Sequence, residues 1–530
     1  MYPFSLIHSD RPRRTLLMAA AVAAVSFAGL AHAQPQAAVS PSVAPLAANP
    51  TASARRPNVV FILADDLGWA DTAIYGSTFY ETPNIDALAR RGVRFSNAYA
   101  ANPLCSPTRA SILSGQYPAR LGLTQAQGAA EEVRLSANVR GRAQPFRKLI
   151  PPQSATRLPL EHITLAERLK AEGYATGHFG KWHLGREPFD ARAQGFDVDV
   201  PHYWGPNSAG GYIAPWKFPD ANFQGKPGDH IEDRMAAEAT KFIRANKDKP
   251  FFLNYWSFSV HGPWAGKPEY IAKYKAKADP NNPQHNPVYG AMVQSLDDAV
   301  GTLTKAITDA GIADNTIIVF TSDNGGQTTV EVDGMPVTSN APLRSGKASI
   351  YEGGTREPLI VAWPGQVKPD TRSDALVSSV DFYPTLLDLT DVKPDPAQKL
   401  DGQSVAGAIK GTGPGRDSVF GFFPHQTKSE GGLPAASVRK GDWKLIRFFG
   451  EGAGGRDLTV LYDLASDIGE RNDVSAAQPN RVKELSVLLD GYLADTHAVL
   501  PVVNPAYDPT AVAPPAGKKK RQSIEAGEDQ

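Results

Sequence analysis

Pro57-Asn58-Val59-Val60-Phe61-Ile62-Leu63-Ala64 is a continuous apolar run with β-branched residues, and Asp65-Asp66 stand just beyond its end. A run without polar alternation buries both faces, the pattern of a parallel strand between helical layers. Outward from it the chain alternates. Helical spacing covers Thr82 to Arg91, and a second helix is expected from Pro107 to Ser114, opening at Cys105 because Pro suits a first turn. Leu165 to Ala171, Asp233 to Asn246 and Tyr289 to Ala310 read as helices. Ala175 to Phe179, Phe251 to Ser257, Thr316 to Thr321 and Leu359 to Ala362 read as strands. This order predicts an α/β fold with a mostly parallel central sheet and helices on both faces. Ligand sites in such sheets lie beyond the carboxyl ends of the strands, where Asp65-Asp66 and Asp323-Asn324 both fall.

From about Gly415 the rhythm changes. Short strands at Ser418 to Phe423, Ala436 to Arg439, Trp443 to Phe448 and Val460 to Leu464 are separated by Gly-rich turns, and Gln478 to Ala494 reads as a closing helix. The expected organisation is a catalytic domain over 57–414 and a C-terminal subdomain over 415–500, a smaller antiparallel sheet with one packed helix. Residues 501–530 read as a disordered tail.

Lys+Arg and Asp+Glu are both 55 in 530 residues, so the charge balance gives no footprint of a nucleic-acid partner. Arg11, Arg13 and Arg14, the apolar stretch Leu16 to Leu30 and Ala31-His32-Ala33 have the form of a signal peptide over 1–33. Its apolar part is too short for a stable membrane anchor, and 34–56 reads as a disordered linker. The expected location is therefore outside the cytoplasm, periplasmic or secreted.

The two acidic pairs supply three carboxylates and an amide oxygen, hard ligands that suit Ca²⁺, or Mg²⁺, rather than Zn²⁺. One such pair alone is as readily a helix cap or turn; two beyond strand ends favour metal. Cys105 is the only cysteine, in Pro103-Leu104-Cys105-Ser106-Pro107-Thr108-Arg109. In an exported chain it forms no internal disulfide and is either an inert buried thiol or chemistry. At a helix start it meets free N–H groups and the positive end of the dipole, with Arg109 one turn on. A low-pKa thiolate is one chemical reading, but a thiolate does not call for a hard cation beside it. Lys181 and His183 follow the strand ending at Phe179, and strand alternation would point them the same way. His261 follows Phe251 to Ser257, and Lys347 lies in a Gly-bearing loop.

The set resembles the formylglycine-dependent type I sulfatases of the alkaline phosphatase superfamily. Cys105-x-Pro107-x-Arg109, continued as Ala110-Ser111-Ile112-Leu113-Ser114-Gly115, is similar to the family's signature. Stretches around Asp65, Lys181, Asp323 and Lys347 are similar too, as are Arg439 to Leu445 and Leu461 to Leu464. The resemblance implies that a formylglycine-generating or maturase enzyme oxidises Cys105 to an aldehyde. It implies that Asp65, Asp66, Asp323, Asn324 and the modified Cys105 bind the cation. The aldehyde hydrate would attack sulfur and leave a sulfo-enzyme intermediate, with Asp323 accepting the first proton. His261, helped by Lys347, would protonate the leaving alcohol; His183 would take the second proton, and Arg109 and Lys181 would hold hydrate and sulfate oxygens.

The substrate expected is a sulfated carbohydrate, with aryl sulfates as artificial substrates. Lys181, His261, Lys347, Trp264 and His425 are the candidate substrate contacts, and Tyr203, Trp204, Tyr212 and Trp216 are aromatic faces equally suited to sugar stacking or packing. The rival enzyme is a phosphonate monoester or phosphodiester hydrolase of the same superfamily, and the rival from another class is an inactive glycan-binding member.

Overall fold

The structure is a computed structural model that describes residues 55–139 and 143–512. The expected signal peptide, all but the end of the linker, and 513–530 lie outside the described residues. The core is an eight-stranded sheet built from β1 (Asn58–Ala64), β2 (Val93–Tyr99), β3 (Ala175–Gly180), β4 (Val198–Val200), β5 (Phe251–Trp256), β6 (Thr316–Ser322), β7 (Arg356–Ala362) and β8 (Thr371–Ser378). Their order is β8-β2-β7-β6-β1-β5-β3-β4. Only β7 runs antiparallel to its two neighbours, so the sheet is mostly parallel, as the alternating sequence predicts.

The opening strand explains the layers. In β1 successive side chains leave opposite faces. Val60, Ile62 and Ala64 join one core with α1 (Pro83–Arg90), α4 (Ile231–Asn246) and α5 (Pro287–Asp309), while Val59, Phe61 and Leu63 join the other with α2 (Cys105–Ser114), α3 (Leu165–Ala171) and α6 (Phe382–Leu389). Burying each Val, Ile, Leu or Phe of this set is worth about 1.5–3 kcal/mol, which makes β1 the central strand that its composition demands.

A separate antiparallel sheet contains β9 (Ser418–Phe423), β10 (Ala435–Lys440), β11 (Trp443–Phe448) and β12 (Leu458–Asp463) in that order. Its inner face packs on α7 (Pro479–Asp495) through Leu485, Leu489 and Tyr492. A buried ion cluster ties this sheet to the main body. Glu352 accepts hydrogen bonds from Tyr99, Arg356 and Lys444, and Lys444 also pairs with Glu470 at 2.9 Å. Arg439 meets Tyr99 from the same sheet.

The expectation of a free tail from residue 501 is corrected over 501–512. Val502–Val503 pair antiparallel with Leu149–Ile150, and Asn504 donates to the carbonyls of Gln144 and Arg147. Backbone pairing and a buried amide hold this segment where low hydrophobicity alone gave no signal.

Candidate active site

Register brings distant sequence together. Ala64 of β1 pairs with Ser322 of β6, so Asp65-Asp66 and Asp323-Asn324 emerge side by side. Gly180 of β3 pairs with Trp256 of β5, so the loops carrying Lys181, His183 and His261 emerge beside them. A Cβ at Gly180 would lie 1.9 Å from the Trp256 carbonyl oxygen, and its φ is +113°; only glycine permits this approach. Helix α2 carries Cys105 to the same end, and all ten of its residues are buried.

The carboxylates and cations interlock. Arg109 Nε and Nη2 donate to Asp323 Oδ2 at 2.9 and 2.7 Å, and its Nη1 donates to the Lys181 carbonyl. Lys181 Nζ donates to Asp65 Oδ2 at 2.6 Å, and Lys347 Nζ lies 2.6 Å from Asp66 Oδ1. Asn324 Nδ2 donates to Asp66 Oδ1, and the Asp66 N–H donates to Asp323 Oδ1. Cys105 Sγ lies 3.3 Å from His183 Nδ1, whose Nε2 has no hydrogen-bond partner. His261 Nε2 stands 3.7 Å from Asp66 Oδ2. Asp66 and His183 both have φ near +60°, a conformation that costs about 1–3 kcal/mol and is held here by surrounding bonds. Ser106 Oγ, for example, donates to the His183 carbonyl.

Two expectations change in detail. Lys181 and His183 are not successive residues on one strand face, because β3 ends at Gly180. They converge through a left-handed turn, Lys181 toward Asp65 and His183 toward Cys105. Arg109 does not reach back to Cys105; its guanidinium is occupied by Asp323 and the Lys181 carbonyl and stacks over Trp256 at 5.1 Å. The hydrogen-bond partner at Sγ is His183.

Burial pushes the Asp65 carboxyl up to about 7, with Lys181 pulling against it and Asp323 adding to it. Burial acts on Asp66 too, yet Lys347 and His261 hold it well below the usual range. Burial and Lys347 hold His261 down to about 3, and burial pushes the Cys105 thiol up despite Lys181 and Lys347. Asp65 Oδ1 and Asn324 Oδ1 are buried and accept no hydrogen bond. Asp65, Asp66 and His261 each present an atom within 4.8 Å of the others. Open carboxylate and amide oxygens are the donor set that fits a hard divalent cation.

The remaining candidates divide. His425 reaches the site from the end of β9 and, with His183, lines a cleft of about 450 Å³. Trp264 does not line that cleft; it packs half-buried on the α4/α5 core. Of the rim aromatics, Tyr212 and Trp216 are core residues. The Tyr212 hydroxyl donates to the carbonyls of Phe258 and His261, so it shapes the His261 loop instead of stacking on a sugar. Glu232 supports the same loop by accepting from the N–H groups of Phe258 and Ser259. Nothing in the sequence marks Tyr212, Glu232 or Ser106 as supports, because their partners are backbone atoms far along the chain or across a turn.

The family model for sulfatases matches residues 57–392, and that for the C-terminal part of N-sulphoglucosamine sulphohydrolase matches 346–496. Human arylsulfatase A is 33% identical over 485 residues, covering 82% of this chain and 88% of its own length. The N-acetylgalactosamine-6-O-sulfatase of Bacteroides thetaiotaomicron is 28% identical, covering 83% and 93%. The crystal structure of Ps i-CgsB in complex with k-i-k-neocarrahexaose superposes with a TM-score of 0.68 at 28% identity, covering 83% of this chain and 94% of that one. With its sheet order, the acid pairs beyond β1 and β6 and this likeness along most of its length, the chain belongs to the formylglycine-dependent sulfatases of the alkaline phosphatase superfamily and is a sulfuric ester hydrolase.

Proposed function

We propose that the protein hydrolyses sulfate esters of carbohydrates outside the cytoplasm, at Cys105 in its oxidised form. The observation that carries this reading is the grouping of Cys105, His183, His261, three carboxylates and three cations at one end of the sheet. The thiol sulfur marks where the oxygens of the modified side chain belong. As a thiol the residue is poorly poised, since burial raises its pKa. An aldehyde hydrate at this position, made by a formylglycine-generating or maturase enzyme, supplies an oxygen nucleophile and a second hydroxyl that lets the sulfate go. Asp65, Asp66, Asp323 and Asn324 would hold Ca²⁺, with Mg²⁺ the alternative, and the cation would supply positive charge for the sulfuryl oxygens.

The chain's own groups then have defined tasks. Arg109 fixes Asp323 and keeps its charge from repelling an anionic substrate. Lys181 and Lys347 present ammonium groups to sulfate oxygens. His183, already at hydrogen-bond distance from Sγ, takes a proton at that position. His261 gives a proton to the leaving alcohol oxygen. Burial and Lys347 depress the ring's pKa, and the negative charge of a bound sulfate acts against that depression.

Side-by-side hydrolysis of 4-nitrophenyl sulfate and the matching phosphonate and phosphodiester tests the reaction class, and free sulfate released from defined sulfated saccharides tests the substrate class. Preference for sulfate esters is expected. A phosphonate preference of several orders of magnitude would overturn the reading.

A further inference from the structure

We propose that His425, oriented by Thr124, reads a hydroxyl group of the saccharide beside its sulfate ester. The inference rests on the carbohydrate reading above and specifies how the sugar is recognised. His425 is 1% exposed, and its Nε2 lies 2.8 Å from Thr124 Oγ1. Its Nδ1 has no partner, although buried polar atoms of ordered side chains are almost always bonded. The ring borders the same cleft as His183, whose Nε2 is likewise without a partner. The cleft thus runs from the group beside Cys105 to a second imidazole with one unpartnered nitrogen. At about 450 Å³ it is within the range of small-molecule sites.

The chemistry of the lining selects the ligand. Gln125, Gln127 and Gln153 present amides, which donate and accept as sugar hydroxyls do. Arg134 lies on the same wall, but its charge is engaged by Glu132 and the Ser154 carbonyl. Burial, with Arg147 nearby, holds the His425 ring down to about 3, so it is neutral and carries one N–H and one lone pair. Whichever nitrogen bears the hydrogen, the Thr124 hydroxyl complements Nε2, and Nδ1 is left as a single donor or a single acceptor. A hydroxyl group answers either. The segment is pinned for this purpose. Thr124 and Gln125 N–H groups both donate to Ser154 Oγ, and the Gly128 N–H donates to Ser106 Oγ beside the nucleophile.

The test compares the ratio of kcat/KM for a hexose sulfate to kcat/KM for 4-nitrophenyl sulfate, which has no hydroxyl to read. The hexose probes are galactose 6-sulfate, N-acetylgalactosamine 6-sulfate and N-acetylglucosamine 6-sulfate, each with its analogue lacking the neighbouring hydroxyl. His425→Ala is expected to lower this ratio about tenfold, chiefly through KM, and Thr124→Val, which leaves the ring in place, about threefold. The deoxy analogue should cost the wild type the same factor and cost His425→Ala nothing further. An unchanged ratio in Thr124→Val and in a folded His425→Ala overturns the proposal, as does equal loss on both substrates. Wild-type protein that splits the aryl sulfate but none of the hexose sulfates also overturns it. Wild-type protein that splits no sulfate ester at all would instead count against the reading of the whole site.

Discussion

Two buried ion clusters, each built from carboxylates, lysines and arginines, have opposite finish. At the junction of the two sheets, Glu352 is surrounded by Tyr99, Arg356, Arg439 and Lys444, and Lys444 spans Glu352 and Glu470. At the end of the main sheet, Asp65, Asp66 and Asp323 meet Lys181, Lys347 and Arg109, yet Asp65 Oδ1, Asn324 Oδ1 and His183 Nε2 remain without hydrogen-bond partners. The junction joins two sheets, and its one atom without a hydrogen bond, Glu470 Oε1, lies 2.9 Å from the Lys444 ammonium. The site keeps polar atoms in reserve, which in a buried setting is costly unless a ligand uses them. Charge density does not distinguish the two; the open atoms do.

The largest effect should come from the site. Cys105→Ala should lower sulfate ester turnover by roughly 10³-fold or more while leaving the thermal midpoint near that of the wild type, measured by steady-state kinetics and calorimetry. The junction should show the reverse. Lys444→Met leaves Glu352 and Glu470 facing each other in a buried place and should cost about 3–5 kcal/mol of stability, read by denaturant unfolding, with kcat of the folded protein kept.

The pH dependence separates the junction's two carboxyls. Lys444, Arg356 and Arg439 overcome burial and hold Glu352 down to about 2, below the usual 4.5 of a glutamate. Its contribution to stability is present above about pH 4.5 and is lost as pH falls toward 2. Burial pushes Glu470 up to about 7, with Glu352 adding to the push. The folded state therefore favours its protonated form, and stability is lost as pH rises from about 4.5 through 7, by roughly 3 kcal/mol. Glu470→Gln should flatten that part of the profile relative to the wild type, with cation saturating in both so that Asp65 adds no slope of its own.

The smallest effect expected is that of the cation on stability. Removing it with EGTA should abolish turnover, and restoring Ca²⁺ at a hundredfold above its Kd should return about 2.7 kcal/mol of stability. Recovery by Ca²⁺ or by Mg²⁺ identifies the ion, and a thermal midpoint indifferent to both would remove the distinction between the open and the closed cluster.

Much of this was legible in the chain. β1 and β6 are apolar on both faces and end in acids, and their pairing follows from the parallel α/β pattern. β2 was missed because Arg94, Ser96 and Asn97 interrupt its apolar residues, and β4 because three residues around Asp199 carry no periodicity. Most site residues could be named because they stand just past a strand end or at a helix start; Arg109 stands one turn into its helix and Lys347 in a Gly-bearing loop. Their partners could not be named. That Arg109 locks onto Asp323 across 214 positions, or that Tyr212 turns its hydroxyl to the His261 loop, depends on tertiary packing with no local signature. His425 shows the same limit. Its place after a short strand was visible, and its Thr124 partner was not.

The central claim is that an oxygen, not a thiol, attacks at position 105. Mass spectrometry of the peptide containing residue 105, taken from active protein made in its native host, tests it directly. The account predicts the mass of formylglycine, in proportion to specific activity across preparations. Full activity in protein whose residue 105 is entirely unmodified cysteine would contradict it.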